Sequence, residues 1–151
     1  MKKLLFIACL FTSTIAFSQS PIGKGGQQLN FGLGFSSNGL PVYINYDFGV
    51  HEDITVAPQA QFNLDGFDYM ILGAKGDYHF NSLLNIPQEW DFYAGVNLGF
   101  AVDFDDGDAY NGLDGGLQVG GRWYWSEKWG MNLEFSGGRG FGGKFGLSLR
   151  M

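Results

Sequence analysis

The stretch WDFYAGVNLGFAVD, Trp90 to Asp103, alternates without a break. Trp90, Phe92, Ala94, Val96, Leu98, Phe100 and Val102 share one parity, while Tyr93, Gly95, Asn97 and Gly99 fall on the other. Successive strand side chains point to opposite faces, so the pattern predicts a strand with one apolar face and one face of polar and small residues. A helix would mix the two sets around its axis and carry Gly95 and Gly99 at ~1 kcal/mol each.

Seven further segments read the same way: Gln28 to Ser36, Leu40 to Val50, Ile54 to Leu64, Tyr69 to Phe80, Leu113 to Trp125, Trp129 to Ser136 and Phe141 to Met151. Between them lie Asn38-Gly39, His51 to Asp53, Asp65-Gly66, Asn81 to Glu89, Phe104 to Gly112, Ser126 to Lys128 and Gly137 to Gly140. Asn-Gly and Asp-Gly favour the positive φ of tight hairpin turns. No segment sustains a helical period, and the chain reads as an eight-strand meander.

One parity of every segment is free of charge and of Asn and Gln; in the last it is Phe141, Gly143, Phe145, Leu147, Leu149 and Met151. The other parity carries Asn30, Tyr43, Asn45, Asp47, Gln59, Gln61, Asn97 and Gln118, with glycine repeatedly between them. Glycine weakens a strand and packs nothing, so a water-facing sheet gains little from it. Inside an eight-strand barrel, whose bore is only just wide enough for side chains, it makes room for larger neighbours. Lys75, Asp77, Arg122, Glu134, Lys144 and Arg150 are then expected to meet in the bore as an ion-pair network, because unpaired buried charges cost too much.

The opposite arrangement, a soluble lipocalin-like barrel with the apolar parity inside, would overfill a lumen that holds one small ligand. With that parity outward in a bilayer, the absence of charge is explained, since Lys or Arg there costs ~2–4 kcal/mol at mid-depth. Closure pairs every backbone group, as lipid requires. The fold expected is therefore all-β: an eight-stranded antiparallel up-and-down transmembrane barrel over residues 28–151.

Composition agrees. Aromatics form 17% of the chain and charged residues 16%, well below the ~25% charged of soluble domains. The opening MKKLLFIACLFTSTIAFSQS reads as an export signal: Lys2 and Lys3, an apolar run from Leu4 to Ile15, then small residues around Phe17. Cleavage after Ser18 would leave a short segment, 19–27, before the barrel. It would also take the formal charge from −6 to −8 and remove Cys9, the single cysteine, so no disulfide framework is expected.

All four tryptophans, Trp90, Trp123, Trp125 and Trp129, flank the turns after the fourth and sixth strands. Tyr46 and Tyr78, with Phe48 and Phe80, approach the turns after the second and fourth. In an up-and-down barrel these turns share one rim, so the positions predict an aromatic girdle at a membrane interface.

Three stretches, INYDFGVHEDITVAPQ, EWDFYAGVNLGFAVDF and WYWSEKWGMNLEF, carry a family likeness. From Gln28 onward the chain resembles the small eight-stranded outer-membrane β-barrels of Gram-negative bacteria, of the OmpA/OmpX, porin-like type. The resemblance implies outer-membrane lipid as the surroundings and the barrel-assembly machinery as a partner during insertion. Other outer-membrane proteins are conceivable companions. Such barrels usually end on an outward aromatic, whereas this chain ends on Met151.

Other chemistry is thinly represented. The glycines of GGRGFGGKFG are followed by neither a helix nor a Ser or Thr after Lys144, which excludes a nucleotide loop. Asp103, Asp105, Asp106, Asp108 and Asp114 are candidate calcium ligands, without EF-hand spacing; a solvated acidic loop is the simpler reading. His51 and His79 lack an evident nucleophile, Ser82 falling in a turn. The sequence thus predicts no catalysis, no cofactor and no nucleic-acid partner. It favours a structural or interaction element of the envelope, and a minor permeability pathway as the alternative.

Overall fold

Eight strands follow one another along the chain, and each pairs antiparallel with its neighbours: β1 (Gln27–Phe35), β2 (Pro41–His51), β3 (Ile54–Asn63), β4 (Tyr69–His79), β5 (Trp90–Asp103), β6 (Gly112–Tyr124), β7 (Trp129–Ser136) and β8 (Gly143–Arg150). β1 also pairs β8, from Gln28 opposite Arg150 to Phe35 opposite Gly143, and so closes an up-and-down barrel. This computed structural model describes residues 19–35, 39–64, 69–104, 111–138 and 142–151, the side chain of Tyr69 excepted. The expected leader, residues 1–18 with Cys9, lies outside them, as do Asn38, Asp65-Gly66, Gly140 and Phe141.

The two faces are inverted relative to a water-soluble barrel. Leu98 is 59% exposed and Leu117 74%, whereas Asn30, Asp47, Lys75 and Arg122 are at most 4% exposed. Among the described residues the buried apolar cluster is only Ile71 with Ala101, paired across β4 and β5. The core is polar, and the large apolar side chains are the outside wall. This removes the basis of the lipocalin-like reading, which needs the reverse.

Glycine sets the fit within the bore. The ring of Tyr93 on β5 lies over Gly120 of β6, and the hydroxyl of Tyr43 over Gly146 of β8, where a Cβ would collide with them. Gly32 and Gly146, opposite each other on β1 and β8, are also too close to neighbouring backbone to accept a Cβ.

Two features fall outside the strand pattern. The β4–β5 connection contains a one-turn helix, α1 (Asn81–Leu84), capped by Asn85 in the left-handed region at φ 51°. A single turn has no period to read in a sequence. Before β1, the amide of Gly25 donates to the carbonyl of Gly49 at 2.8 Å, and that of Gly49 to Gly26 at 2.9 Å. The segment thereby held at the barrel end buries Ser20 and Ile22. Gly49 allows the approach, because a Cβ there would strike the carbonyl of Gly23.

Candidate functional site

The bore is filled by two ionic layers. In the first, Glu134 accepts from Lys75 Nζ at 2.7 Å on Oε2 and from Lys144 Nζ at 3.0 Å on Oε1. Tyr93 Oη donates to the same Oε2 at 2.9 Å, and Lys75 also meets Asp77 Oδ2 at 3.1 Å. Gln118 donates to Asp77 Oδ1, and Asn97 to Gln118 Oε1 at 3.1 Å. These groups come from β4, β5, β6, β7 and β8, so the layer ties most of the circumference together.

The second layer centres on Arg122. Its two terminal nitrogens donate to Asp47 Oδ2 and Asp91 Oδ2, each at 2.7 Å, while its guanidinium carbon lies 4.3 Å from the centre of the Tyr93 ring. That one cation braces β2, β5 and β6. A chain of amides and hydroxyls continues from Asp47 through Asn30 at 2.9 Å to Ser148 at 2.6 Å, then to Asn132 at 3.0 Å and Tyr43. The space between Tyr43, Tyr93, Lys75, Arg122 and Glu134 admits no water-sized sphere.

Lys75, Asp77, Glu134 and Lys144 therefore form one ion-paired group and Arg122 with Asp47 and Asp91 a second, and Tyr93 touches both. Arg150 joins neither group. It lies near the barrel end, stacked 3.5 Å from the centre of the Tyr124 ring, with a bond to the Gln88 carbonyl at 3.3 Å. The expectation of one six-residue network is corrected accordingly: position 150 is the last strand residue, where the inward side chain reaches the mouth and not the middle of the bore. Parity puts Asp47 inward, but nothing local in the sequence pairs it or Asp91 with Arg122, which is 75 and 31 residues away.

Inward parity includes Thr55 and His79 but does not pair them. Thr55 Oγ1 lies 3.0 Å from His79 Nε2, and His79 Nδ1 lies 2.7 Å from Asp91 Oδ1. Hydroxyl, imidazole and carboxylate in this order resemble a nucleophile, its base and an orienting group. All three are at most 1% exposed, and catalysis needs space for a reacting atom beside the nucleophile. The chain of bonds runs on into Arg122 and joins the plug. Ser82, in α1, donates to Asp53 Oδ1 and not to a histidine, and His51 is exposed.

Of the candidate calcium ligands, Asp105, Asp106 and Asp108 lie outside the described residues. Asp114 Oδ1 accepts from the amide of Gly115 at 3.0 Å, and the amide of Asp103 donates to Asn111 at 2.9 Å. Among the described residues no group of three metal-ligating side chains gathers.

The outer wall carries its tryptophans, with Tyr46 and Tyr78, toward one end, while outward phenylalanines such as Phe35, Phe100 and Phe135 stand toward the other. Trp90 and Trp123 are register partners with ring centres 6.1 Å apart; Trp123 and Trp125 follow at 6.3 Å, and Trp90 stacks on Phe92 at 6.0 Å. Trp129 flanks the same β6–β7 turn as Trp125, and Tyr78 contacts Phe80 at the end of β4. Tyr46, at the middle of β2 and beside the start of β1, donates to Gln27 Oε1 at 2.7 Å. All six side chains are outward and half-buried or exposed, toward the rim at which β1 begins and β8 ends.

The chain matches no protein-family profile and no curated protein sequence. Solved structures do resemble it. A de novo designed transmembrane β-barrel superimposes with a TM-score of 0.68 at 10% identity, covering 85% of this chain and 97% of its own. The N-terminal β-barrel domain of Pseudomonas aeruginosa OprF gives 0.61 at 12%, covering 85% and 99%. Neisserial surface protein A gives 0.50 at 15%, covering 83% and 94%. At these identities the shared property is the fold, that of small eight-stranded membrane barrels.

Proposed function

We propose that the chain is an integral outer-membrane β-barrel acting as a non-enzymatic structural or interaction element of the cell envelope, with a closed bore. One observation carries this reading: the polar residues plug the interior while the apolar residues form the exterior. The interior is braced by Lys75–Glu134–Lys144 and Asp47–Arg122–Asp91, whose rupture would leave buried charges unpaired at ~3–5 kcal/mol each. The exterior is a continuous apolar surface far larger than soluble monomers expose. A wall of this kind suits lipid and, through it, lateral contact with a larger membrane assembly.

Single-channel recording in planar bilayers tests the closed bore. The reading expects folded, inserted protein to leave the bilayer without discrete conductance steps. Regular steps that scale with the protein inserted would favour the permeability pathway instead.

A further inference from the structure

Among the described residues the outer wall contains a pronounced depression on β5 to β8. Register places Phe92, Gly121, Leu133 and Phe145 in a single row across β5, β6, β7 and β8. The row toward the tryptophan rim is Trp90, Trp123 and Met131, and the row on the other side brings Val119 beside Phe135. Gly121 is thus the missing side chain at the centre of a ring of large apolar ones. The resulting groove has a volume of about 490 Å³ and is lined almost wholly by apolar surface. The ring of Phe92 leans toward Gly121, 3.2 Å from where a Cβ would stand, and closes only one side.

We infer that this groove is a binding site for one acyl chain of a glycerophospholipid from the leaflet at the tryptophan rim. The inference rests on the membrane reading above but not on the role proposed for the barrel. Three observations select a hydrocarbon chain. The floor and walls are apolar apart from the indole nitrogens of Trp90 and Trp123 on the rim side, since Arg122 and Asn132 beneath turn inward and are buried. Trp90 and Trp123 line its rim side, and their amphipathic rings belong at the level where a phospholipid chain leaves its glycerol. Its footprint, three strands wide and about five residues tall, is on the order of 200 Å² from the strand spacing and rise. A protein partner would have to cover wall far beyond the groove to reach the ~1,000 Å² of a stable interface, whereas one acyl chain matches the groove itself.

Phospholipid chains elsewhere slide along a wall of projecting side chains. Here a chain lies below the level of its neighbours, with contacts on several sides, and each added contact contributes dispersion energy. Gly121 is the residue on which the site depends.

Native mass spectrometry of the full barrel, released from detergent micelles containing palmitoyl-oleoyl phosphatidylglycerol, tests the site. Wild type should retain a first lipid at low lipid-to-protein ratio. Gly121→Leu should reduce that retention at least about five-fold by filling the groove, and Leu133→Trp should do so from the adjoining wall. Ala74→Leu, outward on β4 and away from the groove, should not. Heat-modifiable electrophoretic migration identifies folded variants, and flotation with liposomes scores membrane insertion separately. Wild type that floats yet retains no lipid, or folded groove variants that retain it as well as wild type, would overturn the site and leave the membrane reading standing. A wild-type dimer abolished by Gly121→Leu would overturn it in favour of contact between copies. Folded protein that does not float would overturn both.

Discussion

Lys75 and Glu134 face each other across the bore, Nζ to Oε2 at 2.7 Å, although 59 residues separate them in the chain. Glu134 also takes Lys144 and the Tyr93 hydroxyl, so a single carboxylate holds two ammoniums and a phenol. Glu134→Ala should therefore destabilise the barrel by ~3–5 kcal/mol, as expected when one partner of a buried ion pair is removed. Urea unfolding in liposomes measures this. A loss below about 1 kcal/mol, the range of an exposed pair, would mean the bore is hydrated and the charges screened.

Gly120 is the seat of the Tyr93 ring. Gly120→Val should push the ring off its place, weaken the Tyr93–Glu134 bond and cost ~1–3 kcal/mol through overpacking. Thermal unfolding followed by electrophoretic migration reads the change. Gly137→Val, where the added Cβ has space, should cost much less.

Position along the outer wall should govern the cost of a charge. Leu98→Arg, in the middle of β5, is expected to lose ~2–4 kcal/mol, and Trp129→Arg at the rim only ~0–1. Paired unfolding measurements check the difference. Equal small losses at both sites would place the Leu98 face in water.

The segment before β1 should detach without loss of the barrel. Gly49→Val places a side chain against the Gly23 carbonyl, so the Gly25 amide should lose its bond to Gly49 and Ile22 its cover. Hydrogen exchange should accelerate at Gly25 while amides at the centre of β5 stay protected. Unchanged exchange at Gly25 would show that the contact does not hold the segment.

Most of the fold is legible in the chain because a strand has only two faces and lipid tolerates charge on neither side chain nor edge of the outer one. Trp90 to Asp103 and Trp129 to Ser136 are strands with the bounds their alternation suggests, and the other six differ by a residue or two at the ends, where pairing and not pattern decides. The bore is less legible. Parity places Lys75, Arg122 and Glu134 inside, but the height at which each stands depends on strand stagger, which alternation does not encode. That is why Arg150 sits apart at the mouth, and why Asp47, Asp91, His79 and Thr55 come together from four strands without a local signal. The groove at Gly121 depends likewise on which residues of β5 and β7 stand beside it.

The central claim is that the apolar parity faces lipid and the polar parity fills the bore. Nitroxide labels on the neighbouring positions Leu98, 59% exposed, and Asn97, 4% exposed, test it most directly in liposomes. The account predicts that the label at Leu98 relaxes with oxygen dissolved in the acyl region and not with a water-soluble nickel chelate, while the label at Asn97 is immobilised and shielded from oxygen. Nickel access at Leu98 together with oxygen access at Asn97 would contradict it.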